Sequence, residues 1–359
     1  MSRPAAPRRI LVSLGKSAPG DGGIFEFSSQ LARRIVLAAP AWRERWNVEF
    51  TLHLRPQLLG HFGPGVAYLP LVRLQRLVHL QPLPYALWHS LNQLNRFRPP
   101  RGCGQRLVTV HDLNYLYDRR SGSTWIEHRR TRNLLARADH VVAISQHTAD
   151  DITRHLGWEG PLDVIYNGAT NLSGHAQTPL PGVDVSRPFL LHLSRMSPSK
   201  NPQAILNLAR IWPEMQFLMC GASSADADAL ARANTLANVQ FHLYISDDQK
   251  AWAYAHCAGF IFPSLAEGFG LPPVEAMHFG KPVFLARRTC LPEIGGDAAA
   301  YFDDFDAAAM KRVVECGLQR HREPGRAEAI RRHAAQFDWD RAGADYLDLY
   351  RRLLGLAPG

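Results

Sequence analysis

Residues 259–277 read GFIFPSLAEGFGLPPVEAM. The opening GFIFPS is the short apolar run that a strand buried on both faces presents. Glu267-Gly268-Phe269-Gly270 is a glycine-rich turn, and a segment of helical period follows from Leu271 to about Gly280. A strand that turns directly into a helix is the repeating unit of a parallel α/β sheet. The rhythm continues on both sides. FLLHLS (189–194), QFLMCG (216–221), VQFHLYI (239–245) and PVFLA (282–286) belong to the same set. Upstream, RRILVSL (8–14), VEFTLHL (48–54), RLVTVH (106–111), HVVAIS (140–145) and DVIY (163–166) form another. Between the sets the chain loses its apolar period and collects Gly, Pro, Ser, Thr and Asn, which marks a connection. The expected architecture is α/β, with two Rossmann-like domains facing a cleft. We place the first at 1–170, a linker at 171–187, the second at 188–336 and a last helix at 337–359, whose stripe of Tyr346, Leu347, Leu349, Tyr350, Leu353 and Leu354 packs along the body.

Open α/β sheets bind ligands beyond the carboxyl ends of their strands, so the residues there are read for chemistry. Glu267 and Glu275 bracket a helix start, and Gly268 and Gly270 let the backbone approach a ligand. Amide N–H groups near Leu271 suit a diphosphate, and Glu275 can accept two protons from a ribose diol. In SRMSPSKN (194–201), Arg195 and Lys200 leave a strand end and can share one pyrophosphate. Gly15-Lys16-Ser17-Ala18-Pro19-Gly20-Asp21-Gly22-Gly23 matches neither the dinucleotide fingerprint nor the Walker loop, so dehydrogenase and NTPase readings lose support. His111-Asp112 ends a further strand, with His111 either a packed core residue or a donor to an anionic or hydroxyl oxygen. The Asp-x-Asp triplets at 226–228, 304–306 and 338–340 read as helix starts or solvated turns, and no metal is expected.

The chain has 359 residues, 46% hydrophobic and 20% charged, which excludes a disordered or fibrous protein. Its net charge of +9 belongs wholly to the first half: 22 basic and 13 acidic residues precede position 186, and 19 of each follow. No acid occurs between Glu49 and Asp112, where Arg55, Arg73, Arg76, Arg96, Arg98, Arg101 and Arg106 fall. Such a field implies an anionic partner. Five widely spaced cysteines indicate neither disulfides nor a zinc site and suit a reducing cytosol. No run is long enough to span a membrane, so membrane contact is expected to be peripheral. In 71–101, LVRLQRLVHLQPLPYALWHSLNQLNRFRPPR, leucines and aromatics alternate with arginines. Two readings stay open: an interfacial surface, or core leucines with a solvated arginine face.

EGFGLPPVEAM resembles the E-x7-E signature of retaining GT-B glycosyltransferases of family 4. GDGG (20–23), TVHDL (109–113), ADHVVAIS (138–145), VIYNG (164–168), SRMSPSKN and FDWDRAGADYLDLYRRLL (337–354) are similar to family segments in family order. Tyr166 departs from the proline common in VIPNG, which leaves the interdomain turn less defined. The resemblance implies that the first domain binds acceptor and the second a nucleotide-sugar, UDP or GDP being the expected carrier, with the last helix crossing back to the first domain. It implies that Arg195 and Lys200 hold the diphosphate, Gly268, Phe269, Gly270 and Leu271 cap it by backbone, and Glu275 binds the ribose. Glu267 contacts the transferred sugar, and His111 its C6 region or the phosphate. Gly22 and Gly23 close the phosphate site, and the base lies near Gly221, Tyr244 and Ile245. The expected activity is metal-independent retaining transfer of a hexose to a lipopolysaccharide or lipid-linked glycan, on the cytoplasmic side, with peripheral contact at the inner face of the membrane and no nucleic-acid partner. A GT-B sugar-nucleotide epimerase and a non-catalytic basic protein binding nucleic acid or glycan remain as alternatives.

Overall fold

In the computed structural model the apolar runs assemble into two all-parallel sheets. The structure describes residues 6–20, 22–81, 84–117, 124–221 and 224–358. Asp21 of the GDGG string and residues 82–83 of the basic stretch lie outside them. The first sheet comprises β1 (Arg8–Ser13), β2 (Val48–Leu54), β3 (Ala67–Pro70), β4 (Leu87–Ser90), β5 (Gln105–Val110), β6 (His140–Ala143) and β7 (Leu162–Val164). Its helices are α1 (Gly23–Trp46), α2 (Thr124–Leu135) and α3 (Gln146–Leu156). The second sheet holds β8 (Phe189–Leu193), β9 (Gln216–Gly221), β10 (Val239–Leu243), β11 (Gly259–Phe262), β12 (Val283–Ala286) and β13 (Ala299–Phe302). With it go α4 (Pro202–Arg210), α5 (Ala225–Ala233), α6 (Asp247–His256), α7 (Leu271–His278), α8 (Leu291–Gly295), α9 (Ala307–His321) and α10 (Arg326–Ala334), and α11 (Trp339–Leu353) closes the chain.

The strand orders are β3-β2-β1-β4-β5-β6-β7 and β10-β9-β8-β11-β12-β13. Each order reverses beside its first strand, between β1 and β4 and between β8 and β11. There successive crossovers go to opposite faces and leave a crevice at the carboxyl ends. The chain divides into two units, residues 1–168 with 339–359 and residues 169–338. The 171–187 stretch carries no helix or strand and lies in the second unit, with Leu172 and Leu180 buried. α11 lies in the first unit and puts its apolar stripe against α1 and the sheet. Tyr346 packs edge-on to Phe27 at 5.7 Å, and Tyr350 shares a 2.6 Å hydrogen bond with His89. α3 forms where its terminal residues direct. Ser145 Oγ accepts the Thr148 N–H at 3.2 Å, and Gly157 ends the helix at φ 64°.

All ten runs read as strands are strands; β3, β4 and β13 are additional. β4 is central, yet it reads Leu87-Trp88-His89-Ser90 with no alternation because all four residues are buried. It also divides the basic stretch between the two readings. Tyr85, Leu87, Trp88, Leu91 and Phe97 are core, whereas Val72, Leu74, Leu77 and Leu80 are exposed. Among the described residues no helix is long and apolar enough to cross a membrane.

Candidate active site

The crevice of the second sheet is built from the loops that leave β8 and β11. His192, on β8, shares hydrogen bonds with the Ile261 carbonyl (2.9 Å) and Ser194 Oγ (2.7 Å). A carbonyl can only accept, so Nδ1 carries the proton and Nε2 accepts from the serine. Burial, helped by the Lys200 charge, lowers this imidazole to about 4, so it is neutral. Ser194 Oγ in turn accepts the Met196 N–H at 2.9 Å, holding Met196 at φ 54°. The chain then makes a 3-10 turn through Pro198–Lys200, and Asn201 at φ 53° starts α4. Arg195 stays exposed on this loop.

The loop after β11 is sewn to that turn by its backbone. The Ser199 carbonyl accepts the Leu265 N–H (2.7 Å) and the Ser264 hydroxyl (3.1 Å). This brings Lys200 Nζ to 2.6 Å from Glu267 Oε1, with both side chains largely buried. Glu267 is fixed further by its N–H on Thr289 Oγ1 (3.1 Å), and its carbonyl accepts the Cys290 thiol (3.3 Å). Gly268, Phe269 and Gly270 are buried, and the Phe269 ring packs edge-on against Phe337 at 5.5 Å. Phe269 therefore offers a ligand its backbone alone. Gly270, at φ 96°, starts α7 with no side-chain cap.

The helix start departs from expectation. Pro272 and Pro273 fill the second and third helical positions and carry no N–H, so of the first turn only Leu271 donates outward. Farther along α7, Glu275 Oε2 accepts the Tyr254 hydroxyl at 2.8 Å. Tyr254 is fully buried, and burial with the Glu275 charge pushes its pKa well above the ordinary phenol value. Gly221 ends β9 with its carbonyl accepting the Tyr244 N–H at 2.8 Å. Tyr244 sits at φ 63° and is 78% exposed, beside the half-buried Ile245. β8, β9, β10 and β11 are contiguous in the sheet, so Arg195, Lys200, Gly221, Tyr244, Ile245 and Glu267 share one sheet edge. Sequence reasoning missed Tyr254, Thr289 and Ser199.

In the first unit, Gly22 caps α1 at φ 65° and Gly23 is its first residue. His111 follows β5 with its ring edge-on to Phe27 at 4.8 Å. Its Nε2 lies 2.7 Å from the Leu91 carbonyl, and its N–H donates to Gln93 Oε1 at 3.1 Å. Burial lowers the imidazole to about 4. This geometry bears on the donor role expected of His111. Nε2 spends its proton on Leu91, so the neutral ring presents Nδ1, which can accept from a hydroxyl but cannot donate to a phosphate. Of the Asp-x-Asp pairs, Asp226 and Asp228 lie in the first turn of α5, Asp306 caps α9 and Asp340 bonds Arg34 at 3.0 Å. Among the described residues no three His, Cys, Asp or Glu side chains gather where they could hold a metal.

Residues 23–170 match Glycosyltransferase Family 4 and residues 180–327 match Glycosyl transferases group 1. The chain is a family 4 glycosyltransferase. It is 28% identical over 247 residues to the serotype-specific mannosyltransferase WbdA of Escherichia coli, which takes in 61% of this chain but 29% of that protein. The chain thus spans under a third of the length of that relative. The O-antigen chain mannosyltransferase B of Escherichia coli is 24% identical over 312 residues, covering 79% of this chain and 80% of the relative. HepE of Anabaena, solved in complex with UDP and glucose, superposes with a TM-score of 0.65 at 20% identity, covering 95% of this glycosyltransferase and 98% of HepE. The shared fold is GT-B.

Proposed function

We propose that this glycosyltransferase moves a hexose, mannose before others, from a UDP or GDP carrier to an anionic or lipid-linked surface glycan, with retention at the anomeric carbon and without a metal. The observation that carries the reading is the Lys200–Glu267 pair at 2.6 Å on the edge that also holds Arg195 and the amides of 268–271. Lys200 has two further N–H bonds to offer a diphosphate while one stays on Glu267. With Arg195 and the turn amides it balances the charge on a departing nucleotide, as a metal does elsewhere. In this reading Glu275, bonded by Tyr254, takes the ribose, and the loops at Gly221 and Tyr244 take the base. Glu267 faces the sugar. His111 accepts from a sugar hydroxyl through Nδ1. In the transfer the bond from the anomeric carbon to the phosphate oxygen breaks as the bond to the acceptor oxygen forms on the same face. The acceptor proton goes to the departing phosphate.

The mannosyl assignment and the surface-glycan acceptor draw on the printed names of the two Escherichia coli relatives, and the nucleotide carrier on the UDP in HepE. Thermal-shift screening of UDP, GDP and ADP tests the donor, because a ligand bound only by the native state raises the midpoint. One base is expected to stand out, and transfer from its mannose conjugate is expected to continue in EDTA. Equal shifts for all three, or loss of transfer in EDTA, refute the reading.

A further inference from the structure

The first sheet has its own switch point, between β1 and β4, and the loop after β4 there is unlike the rest of the chain. Residues 93–99 meet α2 around a cavity of about 330 Å³. Arg76, Arg96, Arg98, Arg130 and Arg137 line it. Among the described residues none of these five guanidinium groups forms an ion pair, and Glu127 is the lone acid of the lining. Two buried donors there have no partner: Nε of Arg76, whose guanidinium lies over the Phe97 ring at 5.5 Å, and the indole N–H of Trp88, a side chain 1% exposed. Buried N–H groups are almost always satisfied, so two beside one cavity point to something that accepts from them. Lys16, after β1, is held below the ordinary lysine value by Arg76 first, then burial, Arg55, Arg73 and Arg96, so the positive field extends past the cavity.

The cavity is fixed in place. Asn95 Nδ2 donates to Ser13 Oγ and Ser90 Oγ, both at 3.0 Å, and Gln93 Nε2 to the Asp112 carbonyl at 2.9 Å, which ties the loop to the ends of β1, β4 and β5. Arg96, Arg98, Arg130 and Arg137 are exposed at the rim and Arg76 is half-buried, so their like charges build a positive potential that favours an anion. The segment that supplies Arg76 is apolar on its outside. Leu74, Leu77 and Leu80 are 65%, 66% and 64% exposed.

We propose that this cavity is a phosphate subsite that seats the phosphate or diphosphate of an amphiphilic acceptor, with its hydrocarbon on Leu74, Leu77 and Leu80. Guanidinium forks match phosphate oxygens in pairs, and a mixed basic and leucine surface suits an anionic head on an apolar tail. The anion site stands on its own geometry; its use for the acceptor rests on the function proposed above.

The test is titration calorimetry on the full chain carrying Arg195→Ala and Lys200→Ala, which removes the donor contacts, with inorganic pyrophosphate and farnesyl diphosphate as probes. Both bind, and farnesyl diphosphate binds about tenfold or more tighter. Adding Arg76→Gln and Arg130→Gln weakens both by about tenfold or more. Adding Leu74→Ser and Leu77→Ser removes only the advantage of the farnesyl chain. If the first pair unfolds the chain, Arg98→Gln with Arg137→Gln reads the same loss. Unchanged affinity in a folded arginine variant overturns the subsite, and equal affinity for the two probes overturns the apolar shelf. A wild-type chain that binds no nucleoside diphosphate sinks the proposed transfer while leaving the pyrophosphate result to stand.

Discussion

Lys200 donates from Nζ to Glu267 Oε1 across 2.6 Å, joining the loops after β8 and β11 at the point where the second sheet reverses its strand order. The pair sets both the charge and the orientation of the crevice. Under the proposed transfer, Lys200→Ala removes a cation that balances the leaving group, and it takes away the ion-pair partner of Glu267. A fall in kcat of about 10²–10³ is expected, as for other preorganised donors. Nucleoside diphosphate affinity falls less, because Arg195 and the turn amides remain. Glu267→Gln keeps a hydrogen bond to Lys200 and keeps the fold, yet lowers kcat through the sugar. Initial rates on the donor selected by thermal shift decide this, and near wild-type turnover by Lys200→Ala removes the assignment.

Tyr254 acts through another residue. Its hydroxyl holds Glu275 Oε2 at 2.8 Å, with the ring stacked on Phe279 at 5.6 Å. Tyr254→Phe keeps the stacking and removes this hydrogen bond from the carboxylate. The KM for donor is expected to rise several-fold with kcat nearly unchanged, at a stability cost of about 1 kcal/mol. A loss confined to kcat contradicts a ribose role for Glu275.

The sequence carried the chemistry that is contiguous and lost what is not. Arg195 and Lys200 fall in one string and Glu267 and Glu275 in another, so both were legible as strand-to-helix turns. Thr289 and Tyr254, which fix Glu267 and Glu275, come from other elements and have no pattern of their own. Ser199, inside the first string, acts through its backbone carbonyl, which no side-chain pattern reveals. The neutrality of His111 comes from burial, against the bond to the Leu91 carbonyl twenty residues away, which raises its pKa. β4 was hidden because its buried polar residues, His89 and Ser90, are satisfied by Tyr350 and Asn95, partners no local window contains. The double proline of α7 was visible, but its effect on the amides depends on where the helix begins.

Gly221 separates a crowded glycine from a merely left-handed one. At φ 152° a Cβ on it would meet the Ser194 carbonyl oxygen at 1.9 Å, which neither backbone can yield. Gly325, at φ 79°, has nothing within 4 Å of its Cβ position. Gly221→Ala is therefore expected to cost about 3 kcal/mol or more and to displace the loop that carries Arg195, whereas Gly325→Ala costs about 1 kcal/mol. Denaturant unfolding of the two variants checks the ranking, and equal costs contradict the close approach at the site.

Acid weakens this fold through its buried imidazoles. Burial lowers His53, His111 and His192 to about 4 and His89 to about 3, from an ordinary value near 6.5. All four are neutral in the native state at neutral pH. Below about 6.5 the unfolded chain takes up protons that the folded chain refuses, so stability rises with pH through this window. It is fully present above about 6.5 and drains away as pH falls toward 4, by roughly 1–2 kcal/mol per imidazole between about pH 7 and 5. The thermal midpoint is expected to drop steeply over that interval, and His111→Gln, with one titrating group fewer, to drop less. The kcat profile is expected to carry no inflection near 6.5 from His111, because burial keeps its ring neutral down to about 4. A midpoint that holds constant from pH 7 to 5 means the folded chain takes up protons on these imidazoles as readily as the unfolded one, and the neutral ring proposed for His111 fails with it.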